Sequence, residues 1–195
     1  MIIQEFEFEL KDGRNALIRS PKEADVQGIM EYLKVIAGET KFLLRYPDEW
    51  ELITEEEEKN WIDRMNRSDN EVMLVCLVDG KIAGNCTLSW RPLRKLRHRA
   101  SIGVALKKEY WGFGIGTRLL SELIRIAEEH ENLLQIELEF VECNSRARAL
   151  YEKLGFRITG IRPNAIRMED GTFLNEYSMV RMIDRSSEHT DPERK

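Results

Sequence analysis

The chain reads as an α/β domain: a mixed, mostly antiparallel sheet with a parallel step at its centre, flanked by about four helices. Three observations predict it. Asp12-Gly13, Asp79-Gly80 and Asp170-Gly171 each separate apolar runs of strand character, the signature of tight hairpins. In the middle of the chain, strand-like and helix-like periodicities alternate, so a helical crossover must bring neighbouring strands parallel. Finally, 195 residues suit one core. We take 1–184 as a single domain, followed by a polar tail, 185–195, that is too poor in apolar residues to fold.

Each element follows from local pattern. Phe6, Phe8 and Leu10 alternate with Glu5, Glu7 and Glu9, a half-buried strand that turns at Asp12-Gly13 into Asn15–Arg19. Ser20-Pro21 supplies a serine cap and a proline first residue for a helix running to about Ala37, with Gly38 as its stop. Residues 39–53 hold Phe42, Leu43, Leu44, Tyr46, Pro47 and Trp50 without a period, which suits either a substrate wall or a loop packed on the core. Thr54 and Glu57 form a capping box for a second helix. The acidic run Glu55–Glu58 suits its positive end. Strands follow at Val72–Val78 and Ile82–Trp90, then Ala100–Leu106. Next comes a helix with Ile115, Leu119, Leu120, Leu123, Ile124 and Ala127 on one face. Leu133–Val141 is a strand. Asn144 caps a helix that buries Ala147, Leu150, Tyr151 and Leu154 and stops at Gly155. Strands near 156–163 and 173–183 complete the order.

Composition narrows the function. The net charge of −5 argues against general attraction to nucleic acid. The basic stretch Arg91–Arg99 reads as a solvated loop, with a phosphate or RNA contact as the minor alternative. Cys76, Cys86 and Cys143 show no metal or redox spacing, and buried thiols suit a reducing cytoplasm. No apolar run is long enough to span a membrane, and the acidic N-terminus is no signal peptide.

The chemistry centres on Val104-Ala-Leu-Lys-Lys-Glu-Tyr-Trp-Gly-Phe-Gly-Ile-Gly-Thr-Arg118. A strand runs into alternate glycines at 112, 114 and 116, and a helix opens at once. Such glycines leave backbone N–H groups uncovered, and a helix start adds free amides and a positive dipole end. Together they cradle a phosphate or diphosphate. A dinucleotide fingerprint requires G-x-G-x-x-G at a first strand, whereas here the spacing is G-x-G-x-G and the motif lies mid-chain. A P-loop requires Gly-Lys-Ser/Thr, and Gly116-Thr117-Arg118 lacks the lysine.

Trp111-Gly-Phe-Gly-Ile-Gly116 resembles the R/Q-x-x-G-x-G/A loop of the GNAT N-acetyltransferases. Asn144-Ser-Arg-Ala-Arg-Ala-Leu-Tyr-Glu-Lys-Leu-Gly-Phe156 resembles that family's later motif. The likeness is close over 100–156, loose over 15–183, and nearest to the ribosomal-protein alanine and small-amine branches. It implies acetyl-CoA as co-substrate, with no metal. Val104, Ala105 and Leu106 would pair with the pantetheine arm as a strand edge pairs with a neighbour. A backbone N–H near Val104 would polarise the thioester carbonyl. Gly112, Phe113, Gly114, Ile115, Gly116 and Thr117 would hold the diphosphate, and Asn144 would reach the arm beside its capping role. The departure is Trp111, where the family has arginine or glutamine. An indole cannot neutralise a phosphate, so backbone amides must carry most of that contact.

Two acid–base candidates follow. Tyr151, seven residues after Asn144, matches the family's tyrosine and is protonated at neutral pH, able to donate toward a departing thiolate. In Leu133–Val141, Glu137 and Glu139 share one face of a strand where carboxylates require a wet cleft or partners. Glu139 also matches the glutamate proposed as base in the ribosomal-protein alanine acetyltransferases. The resulting expectation is a cytoplasmic acetyl-CoA-dependent transferase acting directly on a primary amine, which could be a protein N-terminus, a polyamine or another small amine. Homodimers are common in the family. The alternatives are a non-catalytic CoA-binding sensor and, through Arg91–Arg99, an acetyltransferase of RNA-bound amines.

Overall fold

The computed structural model describes residues 1–185, and the tail expected from 185 lies, from 186 on, outside them. Eight strands form one sheet: β1 Phe6–Glu9, β2 Asn15–Arg19, β3 Glu71–Val78, β4 Lys81–Trp90, β5 Arg99–Leu106, β6 Gln135–Val141, β7 Arg157–Arg167 and β8 Phe173–Met182. Their order is β1-β2-β3-β4-β5-β6-β8-β7, and every described pairing is antiparallel except β5 with β6. The helices are α1 Val26–Glu39, α2 Glu55–Arg67, α3 Ile115–Glu129 and α4 Ser145–Lys153. The mixed sheet with a central parallel step is as the sequence predicts.

Alternation along the strands divides the core between the two faces of the sheet. On one face, Leu74, Cys76, Cys86, Leu88, Ala100, Ile102, Ile136 and Leu138 pack against α3 (Leu119, Leu120, Leu123, Ala127) and Tyr151 of α4. On the other, Met73, Val75 and Ile82 pack against Ile29, Tyr32 and Ile36 of α1 and Ile62 and Met65 of α2. The thiols of Cys76 and Cys86 are buried in the first of these layers. Burial pushes Cys76 up to about 12, so it behaves as an inert apolar group.

The first helix departs from expectation. Ser20 is not its cap, because the Ser20 hydroxyl accepts from the Ile3 amide instead. A 3-10 turn at Glu23–Asp25 precedes α1, which begins at Val26 and continues through Gly38 to Glu39. The reason is a nearly buried ion pair. Arg19 donates to both carboxylate oxygens of Asp25, at 2.6 and 2.8 Å, and Asp25 also accepts from the Lys22 amide at 2.7 Å. Desolvation alone would raise the Asp25 carboxyl, but the Arg19 and Lys22 bonds outweigh it and hold it below its ordinary 3.8. A carboxyl depressed on folding adds stability above its unfolded value, and that stability is lost as pH falls through the folded value. We therefore expect Asp25→Asn to remove about 3 kcal/mol at neutral pH, because it strands a buried guanidinium. In urea titrations the gap between variant and wild type should shrink as pH falls below the ordinary carboxyl value.

Thr54 caps α2 as predicted. Its hydroxyl accepts from the Glu57 amide and Glu57 accepts from the Thr54 amide.

Candidate active site

The sheet forks where its one parallel pair ends. β5 and β6 pair only at Arg99↔Gln135, Ala100↔Ile136 and Ser101↔Glu137, and beyond that Ile102–Leu106 and Leu138–Val141 have separated. Parallel neighbours joined by a helical crossover can diverge in this way, because α3 rather than a tight turn sets their spacing. The fork opens into a cavity of about 920 Å³ that includes Gly103–Leu106, the glycine loop, Glu139–Val141 and the start of α4.

The open edge of β5 has a definite polarity. Ala105 carbonyl oxygen lies 2.9 Å from where a Gly84 Cβ would stand, and it accepts a 2.7 Å bond from the Tyr32 hydroxyl. A strand residue turns its N–H and C=O to one side and its neighbours turn theirs to the other. Ala105 therefore faces β4, and the polar groups of Val104 and Leu106 face the fork. This corrects the expectation for Ala105, whose backbone is occupied although the residue lines the cavity. Val104 N–H remains aimed at the open edge.

The glycine loop is built for exposed amides. Gly112 and Gly114 have φ of 89° and 98°, which only glycine adopts readily. No side chain caps α3, and its first intrahelical bond runs from the Arg118 amide to the Gly114 carbonyl. The amides of Ile115, Gly116 and Thr117 are therefore left toward the cavity those residues line. Gly116 is small for another reason: a Cβ there would meet Leu106 and Leu150 side chains at 3.2 Å. Phe113 differs from expectation. It does not line the cavity; its ring packs instead against the α3-side core, 5.6 Å from the Arg14 guanidinium.

Tyr151 is 7% exposed, wedged between Phe140 and Phe156 at 6.1 Å each, and lines the cavity. Burial pushes its hydroxyl up to about 12. Asn144 lines the cavity while its side chain accepts from the Ala147 amide at 3.2 Å, the capping bond.

Glu137 and Glu139 part company. Arg99 binds Glu137 in a two-pronged pair at 2.6 and 2.5 Å, and this, against partial burial, holds the Glu137 carboxyl below its ordinary value. Glu139 lines the cavity and has no hydrogen-bond or ion-pair partner among the described residues.

Cross-strand register places Glu139 opposite Ser178 and Val141 opposite Glu176, so Glu139 and Glu176 are diagonal neighbours on one face. Arg162 neutralises Glu176 at 2.7 Å. That is the sheet face on which α1 and α2 pack over β3 and β4, whereas Tyr151 belongs to the α3 and α4 face. Of the two readings left open for the loop after α1, the cavity wall is the one the structure favours: Thr40, Phe42, Leu43, Leu44, Arg45 and Trp50 line it, while Leu43 also packs on the core. The Tyr46 hydroxyl accepts from the Glu169 amide at 3.3 Å, tying that loop to the β7–β8 turn. Residues 91–99 line none of the cavity.

Glu176 and Arg146 also line the cavity, and neither was singled out from the sequence. Glu176 is invisible until β8 is known to pair with β6. Arg146 lay within the quoted motif but carried no local signal beyond charge. Among the described residues, no group of three or more His, Cys, Asp or Glu side chains is placed to hold a metal ion, and no helix is long and apolar enough to cross a membrane.

The comparisons agree with this geometry. Residues 38–156 match the Acetyltransferase (GNAT) family. The L-amino acid N-acetyltransferase AaaT of Escherichia coli K12 is 26% identical over 123 residues, 63% of this chain and 75% of that protein. A GNAT-family acetyltransferase from Streptococcus pneumoniae superposes with a TM-score of 0.80 at 30% identity, covering 86% of this chain and 99% of that one. A putative acetyltransferase from Salmonella typhimurium, solved with acetyl-CoA, shares the fold with a TM-score of 0.74 at 22% identity, covering 92% of this chain and 99% of that one. With the family match spanning more than half its length, and with a forked sheet beside an uncapped glycine loop, the chain belongs to the GNAT family of N-acetyltransferases.

Proposed function

We propose that the protein transfers the acetyl group of acetyl-CoA directly to the primary amine of a small acceptor, with Glu139 as base and Tyr151 as the donor to sulfur. The observation that carries this reading is the division of the fork between two faces. The glycine loop and Tyr151 belong to the α3/α4 side, while Glu139 and the residue 40–50 wall belong to the α1/α2 side. A thioester laid along the open edge of β5 and an amine entering from the other face would meet between them.

Each step has a group suited to it. Open amides at 115–117 take the donor's phosphates and Val104 N–H faces the thioester carbonyl. Glu139, unpaired and wet, takes the ammonium proton directly or through water. The nitrogen lone pair attacks the carbonyl carbon and the C–N bond forms; the C–S bond then breaks as Tyr151 hydrogen-bonds the departing sulfur, and the second proton of the attacking nitrogen passes to the thiolate to give the free thiol. The acceptor wall is largely apolar and aromatic, with one cation, Arg45, over Trp50, and is tied to the β7–β8 turn, which suits a small amine with an apolar body better than a long polyamine. That AaaT is named for L-amino acids supports an amino acid as the first acceptor to test.

Glu139→Gln separates the base from the rest. An ammonium must lose its proton before attack, so we expect kcat/KM to fall about a hundredfold near pH 6.5. The deficit should narrow toward pH 9, where free amine becomes common. A panel of amines and amino acids, read by thiol release and acceptor mass, supplies the assay. A deficit equal at all pH values removes Glu139 as base. Thiol release with no acetylated amine anywhere in the panel overturns direct transfer.

A further inference from the structure

We propose that Arg146, stacked on Trp111, is the cation that binds the donor's diphosphate, replacing the charge that residue 111 itself lacks. The inference rests on the acetyl-CoA reading above and adds a residue to it.

Trp111 lines the cavity beside the glycine loop, and its indole is fixed by an Nε1–H bond of 3.1 Å to the Leu106 carbonyl. The guanidinium carbon of Arg146 lies 5.0 Å from the centre of that ring, in cation–π range. Arg146 thus reaches over from the first turn of α4 to the mouth of the open amides at the start of α3. The ring converts a flexible arginine into one held at a fixed place, which lowers the ordering penalty of binding an anion.

The placement is otherwise unfavourable. A cation in the first turn of a helix opposes the helix dipole, and α4 has no acidic residue there to offset it. The neighbouring Arg148 pairs with Glu152. Arg146 has no carboxylate partner among the described residues, only the indole. An unpaired guanidinium at the wrong helix end, sharing the cavity with the open amides of 115–117, is stabilised by an anion held between them. A diphosphate supplies oxygens to both sides at once.

The test is donor kinetics of the full-length protein, with acceptor held saturating. Arg146→Gln should raise the KM for acetyl-CoA about tenfold, as loss of one charge-assisted contact does. Its kcat and acceptor KM should stay within about twofold, because the group binds far from the reacting atoms. Arg146→Lys should recover part of the loss. Trp111→Ala should match Arg146→Gln, and the double variant should be no worse than either, since the ring acts through the guanidinium.

Two donors locate the contact. With acetyl-dephospho-CoA, which keeps the diphosphate, the penalty should persist. With S-acetylpantetheine, which has no phosphates, wild type and variant should coincide. A penalty that vanishes with the dephospho donor, or persists with S-acetylpantetheine, overturns the assignment. So does an unchanged KM in a protein whose wild type binds CoA by calorimetry. A wild type that shows no CoA binding at all would sink the acetyl-CoA reading itself, a separate failure.

Discussion

Tyr151→Phe is expected to lower kcat about a hundredfold while leaving the dissociation constant for acetyl-CoA within about twofold. The substitution removes one oxygen and keeps the ring. Packing against Phe140 and Phe156 therefore survives and folding is unaffected. The Tyr151 hydroxyl, pushed up to about 12 by burial, stays protonated throughout the working range. A thiol titrates near 8.5, so full transfer of the tyrosine proton to the thiolate would run uphill by roughly 3.5 units, or about 5 kcal/mol. The hydroxyl is thus best used as a hydrogen-bond donor that stabilises charge growing on sulfur, while the proton that ends on the thiol is the one the nitrogen releases.

This gives the variant a distinct signature. Its penalty should be constant between about pH 6 and 9, since the group does not ionise there. The Glu139→Gln penalty, in contrast, shrinks as pH rises. Stopped-flow thiol release across that range reads both. Wild-type turnover in Tyr151→Phe would remove the hydroxyl from the reaction, and a penalty that tracks pH would mean that another group governs sulfur protonation.

The succession of strands and helices along the chain, and the parallel step at its centre, were legible because they rest on local rules, whereas the insertion of β8 between β6 and β7 was not. Positive-φ glycines, a side-chain cap at Asn144 and strict alternation in β5 and β6 are written within a few residues of where they act. What was not legible depends on side-chain partners that local pattern does not specify. Glu137 and Glu139 look equivalent on a strand diagram, and it is the Arg99 and Gln135 side chains, both donating to Glu137, that separate them. Ala105 looks like its neighbours until Gly84 and Tyr32 are seen to occupy its carbonyl side. The start of α1 was misplaced because Ser20-Pro21 is a good local cap, while the Arg19–Asp25 pair offers more by holding the chain in a 3-10 turn first. At α1 the deciding pair is only six residues apart, but as in the other two cases a specific polar contact overrode a sound local preference.

The backbone geometry of the loop makes the other large prediction. Gly114 caps α3 with φ 98° and ψ −10°, and nothing stands within 4 Å of where its Cβ would be. Space is therefore not at issue, and a side chain there is penalised only by conformation. A β-branched residue at this φ costs on the order of 1–3 kcal/mol, or else the peptide rotates to relieve it. Rotation would turn away the amides of 115–117, which are the phosphate ligands in the proposed reaction. Gly114→Val should consequently raise the KM for acetyl-CoA more than about tenfold and lower the melting temperature. Gly114→Asn, which tolerates left-handed backbone, should lie much closer to wild type in both.

Gly80 provides the control. Its φ is 74°, it too has open space around it, and it sits in the β3–β4 turn away from the cavity. Gly80→Val should lose comparable stability with no change in donor KM. If Gly114→Val and Gly80→Val prove alike in donor KM, the loop's conformation is not what grips the donor. If Asn at 114 is as damaging as Val, the requirement is for a bare glycine against the ligand rather than for a positive φ, and the amide cradle would need to be redrawn closer to Gly114 itself.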